Sequence, residues 1–293
     1  MVSPATCALV GRFTDPRVAE SSQAVLAHLA GRRITVLLDE AAALADGGVA
    51  TRVPESELGR RADLMIAVGG DGTLLYAAGL VAHHDVPLLG INRGRLGFLT
   101  DVMPQDIPAC LDEALEGRLT ADERPLLAAS LRHARGEVAS ALALNDVVLQ
   151  KLATGRMVDF ETRVAGHYVN THAGDGIVVA SATGSTAYAL SCGGPIVEPN
   201  LEVLVLSPIC PHTLSDRPIV VSSRSTIEIR LIDRPDARAQ VTCDGVILGS
   251  LEPEDVLSIK PASERITLLH PSDHDYFRLL RSKLHWGHRS GER

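Results

Sequence analysis

The sequence predicts two domains: an α/β N-terminal domain with a Rossmann-like parallel sheet, and a β-rich, β-sandwich-like C-terminal domain. A final helix is expected to return to the first domain. Three observations predict this. The chain has 293 residues, enough for two cores at ordinary domain sizes. Up to residue 124, short and wholly apolar runs alternate with longer helical patterns, as parallel winding requires. Beyond it the runs become short and β-rich, with Gly, Pro, Asn and Asp between them, as in layered β domains. The expected divisions are 1–124, 125–270 and 271–293.

Residues 6–10 read as a strand and 18–29 as a helix. Strands follow at 33–38, 63–68 and 86–92, with a helix at 73–81 before the last. Pro104 opens a helix over 106–116 and Gly117 closes it. In the second region strands are expected at 126–131, 137–149, 158–164, 176–180 and 203–207. Further strands are expected at 219–222, 226–232, 239–243 and 256–260, and 275–284 turns helical again. Only nine residues are aromatic, so aliphatic side chains must fill both cores.

Composition narrows the function. No run of about 18 apolar residues appears, so no membrane helix is expected. The first residues lack the charged and apolar blocks of a signal peptide. Five widely spaced cysteines argue against a disulfide framework and against a zinc cluster, and the eleven histidines are scattered. A cytoplasmic setting is therefore expected. A net charge of −8 gives no reason to expect a nucleic-acid partner. Of 28 basic residues only Lys151, Lys260 and Lys283 are lysines, which restricts what can meet a phosphate.

Two segments stand out. Gly69-Gly70-Asp71-Gly72-Thr73 follows an apolar strand and opens a helix. Glycines allow positive φ and close approach of a ligand to the backbone, and a helix N-terminus attracts phosphate. An acidic side chain in such a cradle suits Mg²⁺ binding or proton removal, though Asp71 or Thr73 could equally cap the helix. No G-x-x-x-x-G-K-[ST] loop is present, so amides, Mg²⁺ and arginines would have to handle phosphate. Asn92, Arg93 and Arg95, after a buried strand, form a second candidate loop.

The other segment runs from Asp175-Gly176 to Thr183-Gly184-Ser185-Thr186-Ala187-Tyr188. It carries more small hydroxylated residues than capping needs, and Tyr188 could face a nucleobase or the core. Asn145-Asp146 interrupts an apolar strand, so at least one of the pair must be buried. A buried Asp needs protein donors or ligand hydroxyls.

Taken together these segments resemble bacterial NAD kinases. The resemblance runs nearly end to end: GGDGT at 69–73, NRGRLGFLTD at 92–101, ALND at 143–146, DG…TGSTAY at 175–188, GGPI at 193–196 and SPICPHTLSDRPIV at 207–220. It continues with CDG at 243–245 and YFRLLRSKLHWG at 276–287. GGDG alone is shared with lipid kinases and phosphofructokinases, whereas TGSTAY with the N-[DE] pair is far more specific. The resemblance implies transfer of a phosphoryl group from ATP, with Mg²⁺ or another divalent metal, to the 2′-hydroxyl of the adenosine ribose of NAD. Asp71 would be the catalytic base. Gly69, Gly70, Gly72, Thr73, Asn92 and Arg93 would form the phosphate loop. NAD would meet Asp71, Gly72, Asn145, Asp146, Arg156, Ala173, Asp175 and Thr183, and the stretch Thr186, Ala187, Tyr188, Ala189, Leu190 and Ser191. Ala173 stands where members selective for NAD carry Arg, and no tight metal site formed by the protein alone is implied. The resemblance further implies a homodimer or homotetramer acting without a membrane or nucleic-acid partner.

Overall fold

The computed structural model describes residues 4–94, 97–152, 157–232 and 237–286. The chain forms two compact units, one comprising Met1–Glu123 with Ile266–Arg293, the other Arg124–Arg265.

In the first unit the strands are β1 (Thr6–Gly11), β2 (Thr35–Asp39), β3 (Thr51–Val53), β4 (Leu64–Gly69) and β5 (Leu88–Asn92). The helices are α1 (Pro16–Gly31), α2 (Glu55–Arg61), α3 (Asp71–Val81), α4 (Ile107–Leu115) and α6 (Tyr276–Leu284), with a 3₁₀ turn at Pro104–Asp106. The strands pair in parallel in the order β3-β2-β1-β4-β5. Successive side chains point to opposite faces, and both faces are covered, so β4 is buried along its whole length. Leu64, Ile66 and Val68 share a cluster with Val25, Leu29, Leu111 and Ala114 of α1 and α4. Met65 and Ala67 face the other way, where α3 buries Leu74, Ala77 and Ala78. Asp15 caps α1 by accepting a hydrogen bond from the amide of Arg17, and Pro16 supplies the preset φ of its first turn.

The second unit contains β6 (Thr120–Arg132), β7 (Val138–Ala143), β8 (Asp146–Lys151), β9 (Val158–Val164), β10 (His167–Gly174) and β11 (Gly176–Ser181). It continues with a 3₁₀ turn (Thr183–Thr186), α5 (Tyr188–Ser191), β12 (Val203–Ile209), β13 (Ile219–Ser222), β14 (Ile227–Leu231), β15 (Ala239–Cys243), β16 (Val246–Leu251) and β17 (Val256–His270). One antiparallel sheet has the order β13-β12-β11-β8-β15-β16. Antiparallel pairs β10-β9-β14-β17 and β6-β7 face it across a shared apolar core of Leu149, Phe160, Val179, Ile229, Val241 and Leu257. β6 begins and β17 ends in the first unit: the first residues of β17 pair with β14, while Leu268 and Leu269 belong to the first unit and pair with β5 in its sheet.

Four elements are absent from the sequence reading: β3, α2, β10 and β16. The expected single strand at 137–149 is two, β7 and β8, lying in different sheets. The chain breaks at Leu144-Asn145 because the amides of residues 144–146 turn toward the carboxylate of Asp244 instead of a neighbouring strand. β17 is 15 residues long where the sequence suggests five, its exposed polar middle masking the continuity.

Candidate active site

β4 and β5 are neighbours whose last residues, Gly69 and Asn92, stand in register, so the loops that follow them emerge side by side. This is the carboxyl edge of an open α/β sheet, where such folds bind ligands. Asp71 is the first residue of α3; Gly70 precedes it as N-cap without a side-chain bond. Asp71 is therefore not a cap. Its Oδ2 accepts from the amide of Phe98 at 2.9 Å and its Oδ1 from the amide of Leu99 at 3.0 Å, with the Thr100 hydroxyl at 3.3 Å. Gly97 is required beneath it, since a Cβ there would collide with Oδ1 of Asp71.

The glycines of the turn act differently from expectation. None of Gly69, Gly70 and Gly72 has positive φ. Gly69 is needed because a Cβ would strike the Thr73 side chain, whereas Gly70 and Gly72 border open space at the start of α3. Asn92 is buried, its amide donating to the Thr100 hydroxyl at 3.0 Å and its Oδ1 accepting from the Gly94 amide at 2.8 Å. It shapes the loop from within. Arg93 extends outward and pairs with Asp15 at 2.7 Å. Lys283 of α6, remote in sequence, lies 5.7 Å over the Phe98 ring. Arg95 and Arg156 lie outside the described residues.

In the second unit Asn145 and Asp146 are both buried. The residue that organises them is Asp244, which the sequence reading quotes within CDG but gives no role. Cys243 and Val246 pair across a two-residue turn, Asp244-Gly245, and both turn residues have positive φ. Asp-Gly suits such a hairpin, and this dipeptide between apolar residues is the signal that would have found it. The Asp244 carboxylate accepts from the amides of Leu144 at 2.7 Å, Asn145 at 2.8 Å and Asp146 at 3.1 Å.

Among the described residues no donor reaches the Asp146 carboxylate. Burial, with the neighbouring Asp244 charge, pushes its pKa up to about 7. The Asn145 side-chain oxygen is buried without a hydrogen-bond partner. The TGSTAY segment packs onto the same backbone: Ser181 donates to the Leu144 carbonyl at 2.6 Å, and a Cβ at Gly184 would fall on the carbonyl oxygen of Asn145.

The remaining predicted residues divide by burial. Thr183 is buried and accepts a hydrogen bond from Arg124 at 3.2 Å. Ala189 is wholly buried in an apolar cluster, against which Tyr188 packs. Thr186, Ala187, Tyr188 and Leu190 are half-buried and Ser191 is exposed. Asp175 pairs with Lys151 at 2.6 Å, and Ala173 is half-buried on β10. All five cysteines are free. The histidines prove less scattered in space than in sequence: His270 and His274 converge on Asp101.

Comparisons with known proteins add to this geometry. A family model for the ATP-NAD kinase N-terminal domain matches residues 12–119, and one for the ATP-NAD kinase C-terminal domain matches residues 144–270. The chain is 43% identical over 289 residues to an NAD kinase of Chromohalobacter salexigens, covering 98% of each. It is 44% identical over 284 residues to one of Nitrosococcus oceani, covering 97% of each. Among solved structures, an NAD kinase from Archaeoglobus fulgidus in complex with ATP is similar at 29% identity and a TM-score of 0.73, covering 96% of this chain and 98% of that one. Yeast NADH kinase complexed with NADH shares the fold at 22% identity and a TM-score of 0.88, over 98% and 89% of the two chains.

Proposed function

The chain belongs to the ATP-NAD kinase family, whose reaction is phosphorylation of NAD to NADP, and on that premise we propose how its residues divide the work. Unit 1 supplies the base and the phosphate cradle; unit 2 supplies the residues that hold NAD. The observation that carries this reading is the Asp71 carboxylate, clamped by two backbone amides beside the open glycines that begin α3.

The reacting group is the 2′-hydroxyl of the adenosine ribose. Asp71 takes its proton as the oxygen attacks the γ-phosphorus of ATP, and the bond from that phosphorus to the bridging oxygen of ADP breaks. Clamping by Phe98, Leu99 and Thr100 orients the carboxylate before substrate arrives: Oδ1 already accepts twice, and Oδ2, which accepts once, keeps a lone pair for the incoming hydroxyl. The first-turn amide of Gly72 and the positive end of α3 stabilise phosphate charge, and the open space beside Gly70 and Gly72 lets a phosphate approach. This turn offers one carboxylate and otherwise backbone donors, which fits Mg²⁺ that enters on the triphosphate and not in an all-protein cage. When bound there, the ion neutralises charge on the transferring phosphoryl group.

In unit 2, Asp146 and the unpartnered Asn145 oxygen accept hydrogen bonds from ligand hydroxyl or amine groups. Asp175, Thr186 and Tyr188 line the same ligand, and Arg156 is part of the assignment. Exposed Ile219 and Val220 on one edge strand and Val246 and Ile247 on the other support homo-oligomer formation, which light scattering in solution tests.

Incubating the purified protein with NAD, ATP and Mg²⁺ and measuring NADP tests the whole reading. Absence of NADP across divalent metals would overturn it. No helix among the described residues is long and apolar enough to cross a membrane.

A further inference from the structure

Asp101, His270 and His274 come together from parts of the sequence about 170 residues apart. Nδ1 of His270 lies 2.9 Å from Asp101 Oδ2, and Nδ1 of His274 lies 2.7 Å from the same oxygen. The ionised carboxylate can only accept, so in each of these hydrogen bonds the histidine Nδ1 carries the proton. The two rings stack with centroids 4.0 Å apart and planes at 20°. Hydrogen bonds from both histidines hold the Asp101 pKa at about 2 against the opposing effect of burial.

Three further features exceed what an internal clamp requires. His270 is 2% exposed, and its Nε2 has no hydrogen-bond partner; it faces Asp122 Oδ2 at 3.7 Å. The second oxygen of Asp101 is also buried without a partner. Finally, Asp101 and His274 border a cavity of about 530 Å³ whose wall carries Asp106, Glu113, Asp273 and Asp275 against Arg278, its one Lys or Arg among the described residues. Imidazole backed by a carboxylate on its far nitrogen is the usual arrangement around a protein-bound transition metal.

We propose that Asp101, His270 and His274 form a binding site for a divalent cation of the zinc class, with Asp122 as the outer partner of His270. Two imidazoles and one carboxylate suit a borderline cation; Mg²⁺ and Ca²⁺ favour oxygen alone. Ligands around such an ion stand about 2.0–2.2 Å from it. Entry of the ion therefore spreads the three donors slightly and moves each histidine proton from Nδ1 to Nε2. For His270 that proton then points at Asp122. His274 lies in the segment between β17 and α6 that has neither strand nor helix, so its ring can turn to meet the ion.

The cation would tie the end of β17 to Asp101, which directly follows the residues that clamp Asp71. It is distinct from the Mg²⁺ that accompanies ATP.

The test uses full-length protein stripped with a chelator and titrated with Zn²⁺ against a chromophoric chelator, without nucleotide. Wild type should bind one equivalent tightly, and His274→Ala should lose that equivalent while keeping its fold by circular dichroism. Asp122→Asn should bind about tenfold more weakly. A melting temperature that rises with Zn²⁺ in wild type but not in His274→Ala would be a second supporting readout. Equal uptake by wild type and His274→Ala, or no stoichiometric uptake by wild type, overturns the proposal.

Discussion

Asp71 opens a helix and Asp146 opens a strand, and the two units surround these carboxylates in opposite ways. Asp71 receives two backbone amides and a hydroxyl from a loop that Asn92 braces from beneath. Asp146 receives no donor among the described residues, and the amides that might have served it point to Asp244. The first group is oriented before any ligand binds. The second is buried, with its pKa raised to about 7, and in the function we propose it is completed when a ligand hydroxyl or amine reaches it. One unit thus presets its chemistry, and the other leaves a deficit for the ligand to fill.

The largest test of this contrast is Asp71→Asn. The shape is kept while the base is lost and one of the two clamping amides is left facing an NH2 group, so kcat should fall at least about 10²–10⁴-fold with NAD binding still measurable by calorimetry. Near-normal turnover in that variant would show that the preset carboxylate is not the base.

Asp244→Ala comes next. It leaves three amides without their acceptor and should cost about 2–3 kcal/mol of stability, while raising KM for NAD more than it lowers kcat. Chemical denaturation and steady-state kinetics read the two effects separately.

A pH series probes Asp146 directly. Its folded pKa lies above the unfolded value of 3.8, so its stabilising effect is full below about 4 and is lost as pH rises through about 7. Asn at this position should therefore gain stability relative to wild type between pH 6 and 8. If ionised Asp146 accepts from NAD, KM for NAD should fall up to about tenfold over that range in wild type and stay level in Asp146→Asn. A level wild-type profile would break the comparison at its second term.

The smallest effect belongs to Asn92→Ala, which removes a brace and not the clamp itself. A loss of about 1 kcal/mol in transition-state stabilisation is expected, seen as a severalfold lower kcat/KM.

These differences also mark where sequence stops being legible. Asp71 is readable because its whole local context, apolar strand, glycine turn and helix, lies within a dozen residues. That at least one of Asn145 and Asp146 is buried follows from alternation along an apolar run; burial of both does not. The break just before them does not, because its cause is a carboxylate about 100 residues away. His270, His274 and Asp101 are equally mute in sequence: the fold alone makes them neighbours. Positive φ at the glycine turn is a reasonable expectation that the structure replaces with a simpler need for empty space. Arg156 stays an assignment by resemblance.

The division of the first unit into Met1–Glu123 and Ile266–Arg293 has a consequence for how the protein is made. The edge of β5 that awaits Leu268 and Leu269 leaves the ribosome long before those residues are synthesised. At usual elongation rates the delay is on the order of ten seconds. The second unit, contiguous in sequence, can meanwhile mature. The newborn N-terminal sheet must wait with an apolar border uncovered, which makes that interval the moment when a chaperone, or a misplaced neighbour, has most to gain.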